Sequence, residues 1–346
     1  MAQERCGIAL VGSTIVDEIL PIIDAGRMTY VDAQNFVPVE ELAGEASELS
    51  VGGMALNVAV DLAKIAGGYP IVVVGKVGRD EKAQVIRRIL AENGLSDALL
   101  AIDPVHETSS TEVLHIRLQD GVIERCFRHR LGAMGSFNEQ DIPWESLSAF
   151  RIAMFGYGLL LPQLDLADRD YGCVLGRVLA KAQAMGLQTA LDFVSPDVQN
   201  LFKFARYRPA LKYVDVLCIN EDQAAALTEE NDPAKACRLL VERFGAGTAV
   251  VHCGAVGPNY AFIRSEGLIV QPNFRVPAEE YQGNAGAGDA FSAGFLHGRH
   301  QGWTTARALE FAAAAAAVSL RHLSCTGAMR DEAYLLNYIE EHRSKR

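Results

Sequence analysis

The sequence predicts an α/β fold with a doubly wound, mostly parallel sheet and helices on both faces. Three observations lead to this prediction: short apolar runs typical of buried strands recur, helical stretches separate most of them, and these stretches end near glycines. Alternating strands and helices favour parallel pairing, because each helix returns the chain to the same end of the sheet. No long linker or internal repeat is visible, so we expect residues 1–346 to form a single domain.

The predicted elements are short and regularly spaced. The strands are expected at 7–12, 71–78, 151–158, 188–193, 214–220 and 248–254. Apolar residues at helical spacing predict helices at 55–67, 81–94, 171–186 and 233–245. The alanine-rich run FAAAAAAVSL at 311–320 is far too short to span a membrane, and it indicates a closely packed internal helix.

Two segments depart from this alternation, at 15–51 and 108–130. The first contains short runs of mixed polar and apolar residues, separated by residues typical of turns. The second has partly alternating polarity and is typical of a hairpin with Asp120 and Gly121 at its turn. We expect the two segments to form a small β lid over one edge of the main sheet.

The composition disfavours several classes of partner. Hydrophobic residues make up 49% of the chain, which is enough for a well-buried core. The 32 basic and 43 acidic residues give a formal net charge of -11, which offers no broad positive field for a nucleic-acid backbone. The N-terminal stretch lacks the pattern of a signal peptide. Seven scattered cysteines without a C-x-x-C pair indicate reduced thiols. Together these features predict a cytoplasmic protein that binds neither nucleic acid nor membrane.

The segment QGNAGAGDAF, at 282–291, is the most informative stretch. In open α/β sheets, ligands bind where the carboxyl ends of strands lead into helices. The backbone N–H groups of Gly286, Ala287 and Gly288 could point at an anion there, and the helix dipole would favour it. Asp289 could take a proton from an attacking hydroxyl, or it could cap the helix while the glycines allow tight packing. The pattern is neither a Walker A loop nor a dinucleotide fingerprint.

Four motifs place this segment in a wider context. GGMALNVAVDLAKIAG, GKVGRD, NEDQAAALT and GAGDAFSAGF occur in that order. Their succession resembles the ribokinase-like (PfkB) family of carbohydrate and nucleoside kinases over nearly the whole chain. The resemblance implies ATP- and Mg²⁺-dependent transfer of the γ-phosphate to a hydroxyl of a sugar, sugar derivative or nucleoside. It also implies that Asp289 is the catalytic base and that the amides of Gly286, Ala287 and Gly288 form an anion hole.

The same resemblance implies where the phosphate acceptor binds. The family uses an early aspartate and a G-G-x-x-x-N turn, which here are Asp17, Gly52, Gly53 and Asn57. A carboxylate and an amide supply the acceptors and donors that a polyol needs, and glycines let a sugar approach the backbone. Taken out of this context, Asn57 would be an ordinary residue at a helix start.

The nucleotide side departs from the family pattern. Gln223 stands where the N-x-x-E segment of the family has its glutamate. A Mg²⁺ ion held through water near Asn220, Glu221 and Gln223 would therefore face less negative charge from the protein. The alternative is that this segment only caps the next helix. His252 replaces a usual Thr or Lys, and either contacts the nucleotide or completes a strand end. The nucleotide-binding candidates are Asn220, Gln223, His252, Gly254, Gly257 and Asn284.

Gly283 is a further departure. Many family members have an aspartate at this position, in a loop associated with a monovalent cation. Glycine lacks the carboxylate, so we expect little potassium activation and a loop ordered by local hydrogen bonds, with Asn284 as one source. The resemblance and the exposed edges of a small lid sheet also predict a homodimer.

Two other functions compete with the kinase. A nicotinamide-dependent dehydrogenase is disfavoured because no G-x-G-x-x-G follows the first strand. A non-catalytic nucleotide- or sugar-binding regulatory protein would fit Gln223 and Gly283 but not the intact Asp289. The acceptor stays open: the basic run RHR at 128–130 suits an anionic substrate if it faces inward, but a solvated hairpin face is the alternative.

Overall fold

The strands of the protein are mostly short. The computed structural model describes residues 5–24, 29–31, 34–36, 47–66, 68–117, 123–195, 201–254 and 257–343. In chain order the described strands are β1 (Ile8–Gly12), β2 (Ile15–Asp24), β3 (Thr29–Val31), β4 (Gln34–Phe36), β5 (Glu48–Gly52), β6 (Ile71–Val77), β7 (Leu100–Ile102), β8 (Ser110–Arg117), β9 (Ile123–Arg130), β10 (Ile152–Gly158), β11 (Ala167–Asp168), β12 (Gly172–Cys173), β13 (Gln188–Phe193), β14 (Val216–Asn220), β15 (Thr248–His252), β16 (Asn259–Ile263) and β17 (Gly267–Gln271).

Helices connect most strands of the main sheet. They are α1 (Met54–Ile65), α2 (Glu81–Glu92), α3 (Trp144–Leu147), α4 (Val174–Ala184), α5 (Phe204–Tyr207), α6 (Glu221–Thr228), α7 (Pro233–Glu242), α8 (Ala287–His300), α9 (Thr305–Ser319) and α10 (Glu332–His342). Short 3-10 helices lie at Gly132–Ser136, Glu139–Asp141, Leu201–Lys203 and Arg208–Tyr213.

The main sheet is doubly wound, as the sequence predicts. In the described residues its nine strands follow the order β17-β16-β15-β14-β13-β10-β1-β6-β7. The strands from β15 to β7 pair in parallel, whereas β16 and β17 form an antiparallel extension at one edge. The carboxyl ends of the parallel strands therefore lie together, and the loops that leave them enter helices at one end of the sheet.

A core lies on each face of this sheet, because side chains alternate along every strand. On β1, Ile8 and Leu10 join the core that contains α1, α8 and α9. Ala9 and Val11 join the opposite core, which contains α4, α6 and α7. All four side chains are fully or almost fully buried, so the strand is apolar throughout, as a strand covered on both faces must be.

A separate small sheet is formed by the two segments that break the alternation. Its order is β5-β2-β8-β9, with β2 antiparallel to β5 and parallel to β8. The β8–β9 hairpin pairs Arg117 with Ile123. The predicted turn at Asp120 and Gly121 lies outside the described residues. The small sheet is thus confirmed, while its action as a lid stays a prediction.

Small residues bring α8 and α9 close together. A Cβ atom added to Gly294 would lie 2.9 Å from the Cα atom of Ala312, and one added to Gly298 would lie 2.7 Å from the Cβ atom of Ala308. The alanine-rich run of α9 is buried almost throughout. It is the closely packed internal helix that the sequence predicts, and within the described residues no helix has the length and apolarity needed to cross a membrane.

Candidate active site

Polar side chains from α1, β10 and α8 meet at the carboxyl end of the main sheet. Asp289 lies in the first turn of α8 and is 4% exposed. Its Oδ2 atom accepts a hydrogen bond from Asn57 Nδ2 at 2.8 Å. The hydroxyl of Tyr157, near the end of β10, lies 2.6 and 2.7 Å from the two carboxylate oxygens of Asp289.

The pKa of Asp289 reflects two opposing effects. Burial disfavours the ionised carboxylate, whereas the hydrogen bonds from Tyr157 and Asn57 stabilise it. Burial is the larger effect, and the pKa is raised to about 6. Asp289 is therefore ionised at neutral pH but basic enough to accept a proton, which suits a general base.

The turn before α8 consists of bare backbone. Gly286 has φ 73°, a left-handed conformation that glycine adopts without strain. A Cβ atom there would lie only 2.6 Å from the Cβ atom of Cys325, so the turn has no room for a side chain. Ala287 N–H donates to the carbonyl oxygen of Asn284 at 3.3 Å. The first-turn N–H groups of a helix lack intrahelical acceptors, so this turn can bind an anion.

Asp17 approaches the site from the small sheet. Its carboxylate packs against Gly52, where a Cβ atom would lie 2.3 Å from it. The pKa of Asp17 is raised to about 7, because burial and the charge of Asp289 raise it more than a hydrogen bond with Thr111 lowers it. The Sγ atom of Cys325 lies 3.9 Å from Asp17 Oδ2. The carboxylates of Asp17 and Asp289 are thus close enough for the charge of Asp289 to shift the pKa of Asp17.

The second glycine of the predicted acceptor turn is required by the backbone itself. Gly53 has φ 82°, and a Cβ atom there would lie 2.6 Å from the carbonyl oxygen of Ser13. It immediately precedes α1 and serves as its N-cap. The tight approach between the β1–β2 connection and the start of α1 positions Asn57, which is 2% exposed, towards Asp289.

Asn220 and Gln223 form a capping box at the start of α6. Asn220 Oδ1 accepts from Gln223 N–H at 2.8 Å, and Gln223 Oε1 accepts from Asn220 N–H at 2.7 Å. Gln223 Nε2 also donates to the carbonyl oxygen of Phe193 at 2.6 Å. Both ends of the Gln223 amide therefore have protein partners, which is the helix-capping alternative that the sequence left open.

Glu221 is the charged member of the expected magnesium set. Burial raises its pKa, and the neighbouring charge of Asp222 raises it further. A Cβ atom on Gly254 would lie 3.8 Å from Glu221 Oε1, so the carboxylate faces the loop after β15. Within the described ranges, no group of three or more His, Cys, Asp or Glu side chains is arranged to hold a metal ion.

The loop after β15 is held by an asparagine that the sequence did not single out. Asn273 Nδ2 donates to the carbonyl oxygens of Gly254 and Gly257, the latter at 2.6 Å. The ring of His252, at the end of β15, lies 5.3 Å from the ring of Phe291. Its Nε2 atom would lie 3.3 Å from a Cβ atom on Gly288. Burial lowers the pKa of His252 to about 4, so it meets the α8 turn as a neutral ring.

Main-chain bonds to Leu320, just after α9, order the segment that contains Gly283. The N–H groups of Gln282 and Gly283 donate to the carbonyl oxygen of Leu320 at 2.9 and 3.3 Å. Gly283 is buried, whereas Asn284 is exposed. Asn284 contributes its carbonyl oxygen, which accepts from Ala287.

The chain is similar in sequence and in fold to several known proteins. The family described as pfkB family carbohydrate kinase matches residues 15–332. A 5-dehydro-2-deoxygluconokinase from Geobacillus thermodenitrificans is 36% identical over 301 residues, which cover 86% of each chain. Arabidopsis thaliana ribokinase complexed with ribose and ATP has a TM-score of 0.73 at 21% identity, covering 97% of this chain and 99% of that chain. Fructokinase with bound ATP from Xylella fastidiosa has a TM-score of 0.72 at 22% identity, with the same coverage.

The chain belongs to the pfkB family of carbohydrate kinases. This pfkB kinase is therefore a phosphotransferase with an alcohol group as acceptor, and the predicted family, fold class and enzyme class are confirmed. The structure brings Asp17, Asn57 and Asp289 together. The roles assigned to them and to the nucleotide-side residues remain predictions.

Sequence reasoning missed two polar residues of the kinase site. Tyr157 lies at the carboxyl end of a central parallel strand, and that position alone was a usable signal. Thr111 pairs with Asp17 across β2 and β8, and this register is set by the packing of the small sheet and has no local sequence signal.

Replacing Tyr157 tests the environment of the base in this pfkB kinase. Tyr157→Phe removes the hydroxyl that donates to ionised Asp289, so the pKa of Asp289 should rise by about one unit. The acid limb of the log kcat/KM against pH profile should then move to higher pH. Tyr213→Phe is the control, because its ring packs against Tyr171 instead. An acid limb that stays in place in Tyr157→Phe would contradict this account.

Proposed function

We propose that this kinase transfers the γ-phosphoryl group of ATP to a hydroxyl of a sugar or sugar derivative, with Asp289 as the base. One observation carries the proposal: a buried carboxylate with a pKa of about 6 lies in the first turn of a helix that begins with bare backbone. Phosphoryl transfer depends mainly on positioning and electrostatic stabilisation. The turn provides positive dipoles for the phosphoryl group, and the carboxylate accepts the hydroxyl proton.

The proposed step follows from the contacts of Asp289. The acceptor hydroxyl donates its proton to Asp289 as its oxygen attacks the γ-phosphorus atom, and the bond to the leaving ADP oxygen breaks. Asn57 and Tyr157 hold the carboxylate at a fixed orientation before the acceptor arrives. The amides of Gly286, Ala287 and Gly288 stabilise charge on the transferred group.

The acceptor pocket favours a polyhydroxy compound. Asp17 and Asn57 bind hydroxyl groups, while Gly52 and Gly53 let the sugar lie against the backbone. The chain is 36% identical to a 5-dehydro-2-deoxygluconokinase, which supports a sugar or sugar acid over a nucleoside. Arg128 pairs with Glu112 on the small sheet, so this basic side chain is already partly neutralised.

ATP and Mg²⁺ fit the groups that are present. The Gly286 turn presents backbone without a side chain to a phosphate, and the Ala287 N–H would exchange the Asn284 carbonyl for it. In this proposal Gly254 and Gly257 let a nucleotide base and ribose approach the backbone, and Asn284, His252, Asn220 and Gln223 are assigned to the same nucleotide side. Mg²⁺ commonly keeps several waters and binds substrate phosphates, so Glu221 and water-mediated contacts suffice on the protein side. When bound, Mg²⁺ would neutralise charge on the phosphates.

An acceptor screen tests the proposal against its alternatives. Sugars, sugar acids, polyols and nucleosides are incubated with ATP and Mg²⁺, and ADP and phosphorylated product are measured. A kinase gives product with at least one acceptor, and we expect sugars or sugar acids to give the highest rates. Binding of sugar and ATP without any product would favour the regulatory protein. Reduction of a nicotinamide cofactor would favour the dehydrogenase.

Asp289→Asn tests the catalytic base. The change preserves side-chain size, so folding and ATP affinity should persist while kcat falls by about a hundredfold or more. Circular dichroism and calorimetric ATP binding provide the folding and affinity controls. Asp17→Asn is the matched variant: it removes the other carboxylate of the same site and should mainly raise the acceptor KM. A near-normal kcat in Asp289→Asn would eliminate the assignment.

We also propose that potassium activates this kinase little. Gly283 offers no carboxylate, and its N–H already donates to the Leu320 carbonyl, so main-chain bonds order the loop. The kcat/KM value is measured with saturating Mg²⁺ in buffer free of sodium and potassium. Potassium is then added at constant ionic strength, and less than a twofold change is expected. A large, saturable rise would mean that a cation site exists without the carboxylate.

We also propose a cytoplasmic homodimer that binds no nucleic acid, and the dimer is supported by the small sheet. Its outer strands β5 and β9 leave one edge each, and Leu49 and Phe127 on these strands are 44% and 54% exposed. Sedimentation velocity at micromolar concentration should give the mass of two chains. A single species with the mass of one chain would refute the dimer.

A further inference from the structure

A second buried carboxylate lies on α1 behind the site. Asp61 is 0% exposed, and neither of its oxygens has a hydrogen-bond partner within the part of the chain that the structure describes. The nearby Lys64 directs its ammonium to the carbonyl oxygen of Thr326, at 2.7 Å. An ionised carboxylate that is buried without a donor is strongly unfavourable. Asp61 therefore requires a proton or another partner.

The charges around Asp61 point to a proton. Burial raises the pKa of Asp61 well above its usual range, and the negative charge of Asp289 raises it further. Lys64 lowers the pKa of Asp61, but this effect is the smallest of the three. Lys64 directs its ammonium to the Thr326 carbonyl, and the net pKa of Asp61 stays raised.

Asn57 has a buried acceptor atom that lacks a hydrogen-bond donor among the described residues. Its Nδ2 atom donates to Asp289, which fixes the orientation of the amide, since the reverse orientation would direct an oxygen at a carboxylate. Its Oδ1 atom is buried and has no donor within the described residues. One proton between Asp61 and Asn57 would satisfy both groups.

The helix places these two groups together. Asp61 follows Asn57 by four residues on α1, a spacing that puts the two Cβ atoms about 5–6 Å apart on one face. Side chains in a helix lean towards its N-terminus, so the Asp61 carboxyl extends towards the turn that holds Asn57.

We propose that Asp61 is a neutral carboxylic acid that donates to Asn57 Oδ1, directly or through one buried water, and so positions Asn57 to donate to Asp289. Asp61 is then a positioning residue, since it acts through Asn57 and touches no reacting atom. The inference rests on the proposed role of Asp289 as the base. The proton of Asp61 stays in place throughout the reaction.

Two substitutions of Asp61 separate this role from general packing. Asp61→Asn keeps the shape and supplies an N–H donor for Asn57, so kcat, KM and the acid limb of the pH profile should stay within twofold and about 0.2 pH units. Asp61→Ala supplies no donor, so kcat should fall about tenfold and the acid limb should move to higher pH. The control is Ser292→Ala, which truncates a buried polar side chain on a different helix, α8, and should leave the pH profile unchanged.

Infrared spectroscopy gives a readout that needs no activity. Above the pKa values of Asp17 and Asp289, wild type minus Asp61→Asn should show the carbonyl stretch of a protonated carboxylic acid. That band should persist in Asp289→Asn. If the band is present but no acceptor is phosphorylated, the proposed function fails while the protonation state of Asp61 stands.

Three results would overturn the inference: absence of the band, equal impairment of Asp61→Asn and Asp61→Ala, or a wild-type pH profile in folded Asp61→Ala. Thermal unfolding of each variant identifies a loss of folding. If Asp61→Ala does not fold, the band and the kinetics of Asp61→Asn still decide the question.

Discussion

The paired hydrogen bonds to Asp289 are the interaction on which the arrangement of the site depends. They connect α8 to α1 through Asn57 and to β10 through Tyr157. A buried carboxylate without such donors would be protonated at neutral pH and useless as a base. Its donors must therefore be placed by rigid elements, and both lie on elements packed within the main core. The precision of the site is a consequence of the packing of three elements against one another.

The site carries an excess of negative charge. Asp61, Asp192 and Asp289 are buried and Asp17 is partly buried; desolvation raises the pKa of each, and the charge of Asp289 raises the pKa of the other three. In the proposed function, a phosphate approaching these carboxylates would be stabilised by backbone amides and a helix terminus, whose dipoles need no desolvated positive side chain. Keeping some of the carboxyl groups protonated reduces the repulsion between them and the phosphate.

Most of the fold was predictable from the sequence, because its signals are local. Alternating strands and helices, and the bare GAGD turn, can be recognised within a few residues. The bond from Gln223 Nε2 to the Phe193 carbonyl and the pairing of Asp17 with Thr111 depend on distant partners, and the sequence predicted neither. The antiparallel strands β16 and β17 also escaped prediction, because single short strands at a sheet edge carry a weak pattern.

Gln223 shows why a departure from a family motif must be interpreted from its contacts. Its Oε1 atom accepts from Asn220 N–H, a bond that a glutamate could also make. Its Nε2 atom donates to the Phe193 carbonyl at the end of β13, a bond that an ionised glutamate could not make. The amide thus ties α6 to a neighbouring strand, at the expense of a negative charge. This segment can then offer negative charge only through the neighbours Glu221 and Asp222, of which Glu221 faces the loop after β15.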